Sequence, residues 1–135
     1  MTATMVLKME RGQQVKAEIE KYLKSQEIKR CFIVGAIGSV MDVRLSVPID
    51  AQFPPTVERY AFEGPGEVVS FIGEIMEKSE MDPALRNVYG ADPSDYFIHI
   101  HASVAFEDAV VRGGGFVDAK VFRGLTLLFQ TEALA

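Results

Sequence analysis

The chain has 135 residues, 48% of them hydrophobic, with 14 Lys and Arg against 19 Asp and Glu. That length suits a single domain, 1–135, which can bury roughly two thirds of its unfolded surface without disulfides or metal. The net charge of −5 is poorly suited to neutralising phosphates and argues against nucleic acid, no apolar stretch reaches the ~20 residues of a membrane span, and a lone cysteine rules out an internal disulfide.

Met1 to Thr4 leads directly into alternating sequence with no secretory leader, so the expected location is the cytoplasm. Met5 to Met9 reads as a first strand. Gly12 and Gln13 open a helix, roughly residues 12–27, whose apolar stripe is Val15, Ile19, Tyr22 and Leu23 at i, i+4, i+7 and i+8. Lys21, Lys24, Lys29 and Arg30 are interspersed with Glu18, Glu20 and Glu27, which reads as a solvated face rather than a basic patch.

Cys31 to Ile37 is strongly β-prone and apolar on both faces, and stops at Gly38. Cys31 inside it reads as a small buried hydrophobe, not a nucleophile. Val40 to Val47 continues as a strand, halted by Pro48, and Pro54-Pro55 marks a loop. Thr56 to Phe62 and Glu67 to Met76 are the next strands, separated by Gly64-Pro65-Gly66. Gly73 inside the second marks a bulge or a close backbone approach. Lys78 to Asp95 reads as a long surface excursion with a helical turn over Pro83–Val88.

The strand that follows, to Phe106, contains Phe97-Ile98-His99-Ile100-His101-Ala102-Ser103. Side chains alternate along a strand, so both histidines of the chain point one way and Ile98, Ile100 and Ala102 the other. Two imidazoles on one face are either half of a metal site or a polar pair at a pocket or interface. After a turn at Glu107-Asp108 come Ala109 to Arg112, then Gly113-Gly114-Gly115, then Phe116 to Asp118. The glycines lack the Lys-Ser or Lys-Thr of a phosphate loop and read as a close backbone approach. A last strand runs from Lys120 to about Thr131, with Leu125 to Phe129 apolar on both faces. One helix and about seven strands on short turns give an α+β domain with a mostly antiparallel sheet.

Several segments, in this order, resemble the plant-and-prokaryote-conserved (PPC) domain family across roughly Met5 to Thr131. They are Met9-Glu10-Arg11-Gly12, Gly35-Ala36-Ile37-Gly38-Ser39-Val40-Met41-Asp42-Val43, Phe62-Glu63-Gly64-Pro65-Gly66-Glu67-Val68-Val69-Ser70-Phe71 with Gly73, His99-Ile100-His101-Ala102-Ser103, and Gly113-Gly114. The resemblance implies an antiparallel sheet flanked by a helix, assembled as a homotrimer. The plant members bind DNA through a separate AT-hook, and no Arg-Gly-Arg-Pro occurs here. Prokaryotic members are sometimes named as DNA-binding proteins. Glu63, Gly64 and Glu67 match the family's interaction motif, with Gly66 where a bulkier residue is usual. Some prokaryotic members look like metal binders, with two ligands from the His-x-His strand and a third His after the Gly-Gly pair. The first two carry over as His99 and His101, ligands for a divalent metal such as zinc, and the third falls on Gly115.

Zinc takes four ligands, or three and a water. Completing a site here requires carboxylates such as Glu74 or Asp118, or groups from another subunit. Otherwise the histidines belong to a polar pocket or a trimer interface, with Gly113, Gly114, Gly115, Asp42 and Arg44 as candidate neighbours. Asp42 and Arg44 also suit ion pairs to an adjacent strand. The leading expectation is a homotrimeric assembly or interaction module with protein partners and a regulatory role. The alternative is a metal- or small-ligand-binding protein, or an enzyme, with its pocket at the His-x-His strand. DNA binding is the third.

Overall fold

The computed structural model describes residues 2–86 and 93–132. Six strands and one α-helix make an α+β domain: β1 (Thr2–Glu10), α1 (Val15–Ser25), β2 (Cys31–Pro48), β3 (Val57–Phe62), β4 (Gly66–Glu77), β5 (Tyr96–Ala105) and β6 (Val111–Glu132). All pairings are antiparallel, in the order β1-β6-β5-β4-β2-β3. A further antiparallel pairing of β2 with β6, from Phe32↔Gln130 to Ser46↔Gly115, closes β2, β4, β5 and β6 on themselves.

The sequence suggests about seven strands and six are described, and the segments read as separate at Gly38 and at Gly113 to Gly115 run on as single strands. Gly38 does not end a strand. β2 passes through it with register shifts at Ile33/Gly35, Gly38/Val40 and Met41/Arg44. Such bulges bend a strand and increase its twist without ending it. Gly38 has φ +140°, and a Cβ there would run into the Gly124 carbonyl and lie 2.8 Å from the Leu125 Cα. Gly113 to Gly115 likewise lie within β6, not between strands.

The helix supplies no side-chain cap of its own at Gln14. Asp118 of β6 takes that role, its Oδ1 accepting from the Lys16 N–H at 3.1 Å. A carboxylate there also faces the positive end of the helix dipole. At the other end Glu27 has φ +55°, and the Ile28 N–H donates to the Leu23 carbonyl at 2.9 Å. That bond, from the residue past the αL position back across the last turn, closes the helix.

The predicted stripe packs inward: Val15, Ile19 and Leu23 are fully buried and Tyr22 half-buried. They meet Met9 of β1 and Leu125, Leu127 and Phe129 of β6, with Tyr22 stacked on Phe129 at 5.6 Å between centroids. Ile33, Phe71, Ile75, Ile100 and Phe116 extend the same core across the closed strands. After β4 the chain makes two short 3₁₀ turns, Lys78–Glu80 and Pro83–Leu85, and Met81 is buried. Residues 87–92, which include the end of the helical turn expected over Pro83–Val88, lie outside the described residues.

The bends of β2 make unequal demands on its glycines. A Cβ on Gly35 meets nothing within 4 Å. Gly38→Ala is expected to cost about 3 kcal/mol or more, from backbone collision at a positive φ. Gly35→Ala should stay within about 1 kcal/mol. Urea denaturation of the two variants beside the parent protein checks both values.

Candidate functional site

β5 places its side chains as strand alternation requires. Ile100, Ala102 and Val104 are buried, while His99, His101 and Ser103 lie on the opposite, outer face. The two imidazoles are 4.9 Å apart between centroids and nearly perpendicular. In register, His99 stands across β4 from Glu74, and His101 from Ile72. The His99 Nδ1 lies 3.6 Å from Glu74 Oε1, too long for a direct hydrogen bond but close enough to pair charges if the ring is protonated. One row further, Ser70 and Ser103 share a hydroxyl–hydroxyl hydrogen bond of 2.7 Å.

His99, His101, Glu74 and Ile72 edge a shallow hollow of about 590 Å³ on the outer face of β2, β4 and β5. Its apolar wall is Phe32, Val34 and Ile72, and its polar rim is Glu74, His99, His101 and Gln130. Phe32 sits in register between Glu74 of β4 and Gln130 of β6, so one row runs Gln130, Phe32, Glu74, His99 across four strands. The volume falls within the roughly 300–1,000 Å³ of small-molecule sites, but the hollow is open to solvent rather than enclosed.

The other predicted residues lie elsewhere. Gly115 is the β6 partner of His101, but its own outward direction is occupied: a Cβ there would lie 3.0 Å from Ser46 Oγ. A Cβ on Gly113 would lie 3.0 Å from the Ala102 carbonyl, and one on Gly114 2.7 Å from Val47 Cγ1. The three glycines therefore let β5 and β2 approach β6 from both sides. Asp42 and Arg44 do not line the hollow. Asp42 sits at a bulge with φ +51°, 3.9 Å from Lys120 Nζ, and Arg44 Nη2 is 3.8 Å from Asp118 Oδ2. Asp118 is engaged at the helix terminus, away from the histidines.

In the interaction motif, Glu67 Oε1 accepts from Arg123 Nη2 at 2.7 Å, and the Glu63 carbonyl accepts from the Asp42 N–H at 3.2 Å. Gly64 is exposed, and Gly66 is packed so that a Cβ would lie 2.9 Å from the Ala105 carbonyl. Among the described residues no group of three or more His, Cys, Asp or Glu is arranged to hold a metal ion.

Sequence reasoning did not single out Phe32, Val34, Ile72 and Gln130 as a site. The available signal was the run from Cys31 to Ile37, apolar on both faces. Alternation along β2 sends Cys31 and Ile33 into the core and leaves Phe32 and Val34 outside. Ile37, at 73% exposure, and Val6 of β1 add to the same uncovered surface. Cys31 is buried, and desolvation pushes its thiol up to about 11. The thiolate needed for nucleophilic attack is scarce at neutral pH.

A model of the Plants and Prokaryotes Conserved (PCC) domain matches residues 1–131. Solved structures share the fold. A plant- and prokaryote-conserved protein from Pyrococcus horikoshii superposes with TM-score 0.74 at 20% identity, covering 98% of this chain and 80% of its own. A metal-containing protein from Archaeoglobus fulgidus gives TM-score 0.71 at 23% identity, covering 94% and 78%. A Bacteroides thetaiotaomicron protein named "putative dna binding protein" gives TM-score 0.75 at 13% identity, covering 97% and 80%. No curated protein matches the chain.

Native protein at pH 8 should resist iodoacetamide at Cys31, and the thiol should alkylate fully once the chain is unfolded in denaturant. Mass spectrometry of timed reactions checks this. Rapid labelling of the native protein would place the thiol in a setting other than the one described.

Proposed function

The chain belongs to the Plants and Prokaryotes Conserved domain family, and on that premise we propose that it is a self-assembling module, three copies of which meet through the apolar outer face of the sheet. One observation carries the reading: Phe32, Val34, Ile37 and Ile72 stand exposed on the outer face, with no helix or strand of the described residues over them. Isolated apolar side chains on a surface need no explanation, whereas contiguous apolar patches larger than a few hundred Å² mark contact sites. The single helix occupies the other face, against β1 and β6. The three-copy stoichiometry is the expectation that the family resemblance carries. Protein partners and a regulatory role fit such a module and are proposed with it.

A second reading rests on the rim. His99, His101 and Glu74 face one hollow, and a relative of this fold from Archaeoglobus fulgidus is a metal-containing protein. A divalent ion such as zinc would draw two imidazoles and one carboxylate from this chain, and an adjoining copy or water would complete the shell. Metal analysis of purified protein separates the two readings. Self-assembly without metal predicts substoichiometric zinc and a melting temperature unmoved by chelator, whereas a resident ion predicts one equivalent and a clear fall.

DNA binding is the weakest of the three. A Bacteroides relative carries that name, but this chain has a net charge of −5 and the family's AT-hook signature is absent from its sequence. Titration of labelled duplex near physiological ionic strength should show no binding, since the 14 Lys and Arg are outnumbered by 19 Asp and Glu and form no basic run to displace counterions.

Static light scattering at micromolar concentration should give three times the 14.9 kDa of one chain. Ile72→Asp places a charge in the centre of the patch and should leave folded single chains, because an unpaired carboxylate is costly to desolvate. A parent protein that scatters as one chain contradicts the reading.

A further inference from the structure

A ring of three identical chains cannot be built from one self-complementary patch, because two-fold contacts close as dimers. Cyclic trimers need two different surfaces on each copy, one meeting the other around the ring. The patch on β2, β4 and β5 is one such surface. The described residues hold a second apolar projection, the loop between β2 and β3, where Ile49 is 56% and Phe53 71% exposed. Phe53 therefore has most of the roughly 150–250 Å² of an aromatic side chain left to bury.

We infer that the β2–β3 hairpin of one copy, led by Phe53, seats in the hollow of Phe32, Val34 and Ile72 on a second copy of this chain. The inference rests on the self-assembly proposed above and supplies its geometry.

Three features of the two surfaces support the match. The first is charge. The loop's acid is already engaged: a hydrogen bond from the Thr56 side chain, with the Gln52 and Thr56 N–H groups donating to Asp50 Oδ1 at 3.1 and 3.3 Å, holds its carboxyl below the usual range. On the hollow, Glu74 stands 3.6 Å from the His99 ring. Closing the contact therefore leaves Asp50 its hydrogen bonds and Glu74 an imidazole within pairing distance, which lowers the cost of desolvating each carboxylate.

The second is hydrogen-bonding sense. Pro54 and Pro55 have no N–H, so the tip beside Phe53 offers backbone acceptors, while the rim carries donors in the imidazole of His101 and the carboxamide of Gln130. The third is preorganisation. The Ile49 N–H donates to the Thr56 carbonyl at 2.9 Å, and with the two bonds to Asp50 it fixes the loop before any contact. A loop already ordered loses little entropy on binding.

The test uses two variants of the full chain and their mixture, sized by light scattering with circular dichroism as the fold control. Phe53→Ser removes the projection and keeps the hollow. Ile72→Asp spoils the hollow and keeps the projection. Both positions are exposed on the outer surface, so both variants should stay folded. Each variant alone should scatter as one chain. Mixed in equal amounts they should scatter as two, since only one of the junctions between them is intact.

Retention of three chains by Phe53→Ser would overturn the hairpin's role and leave the assembly reading standing. A mixture that stays as single chains would overturn the head-to-tail geometry. A parent protein that scatters as one chain would overturn both.

Discussion

The structure depends on the pairing of β2 with β6. Without it the six strands form an open sheet with two free edges. With it, β2, β4, β5 and β6 close around a shared core. Closure is possible because β6 carries no side chain where its neighbours press hardest. At Gly113 a Cβ would lie 3.0 Å from the Ala102 carbonyl, at Gly114 2.7 Å from Val47, and at Gly115 3.0 Å from Ser46 Oγ. β2 meets the same requirement from its own side by bending at Gly38 and at Asp42. Closed sheets have fewer edges to pair with other chains, which directs association away from strand addition and towards faces.

Closure then decides where apolar surface is left over. The inner face is filled by α1 and by the side chains of the closed strands, from Val15 to Phe129. One helix cannot also cover the outside, and the outer positions of β2 and β4 are not all polar as on a solvated sheet. Phe32, Val34 and Ile72 stand there beside two imidazoles. Water is an unfavourable neighbour for the first three, at about 25 cal/mol for each Å² left exposed. A second copy of the chain, or another protein, removes that cost. The mixed rim of Glu74, His99, His101 and Gln130 surrounds the apolar centre as polar rims surround protein contacts in general.

Much of the fold was legible in the sequence because it follows from period and punctuation. The stripe of Val15, Ile19, Tyr22 and Leu23 located the helix, and alternation around His99 and His101 fixed which way both rings point. Strand ends were less legible. Glycine usually interrupts a pattern, so Gly38 and Gly113 to Gly115 read as ends. In the folded chain they are points of close approach inside continuous strands, a property of the neighbouring strand that no local window contains. The site was half legible. His99 and His101 announce themselves by type, whereas Phe32 and Ile72 are ordinary strand residues until β2 and β4 pair. The carboxylates Asp42 and Asp118 share a face of their strands with other polar residues, but only the register shows them paired with Lys120 and Arg44 at the helix end.

The central claim is that the outer face of β2 and β4 is covered in solution by another copy. Hydroxyl-radical footprinting over a dilution series measures that cover directly, residue by residue. Phe32, Ile72 and Phe53 should be protected together at micromolar concentration and become reactive together on dilution, while exposed side chains away from the contact stay reactive throughout. Equal reactivity of all three at every concentration would contradict the account.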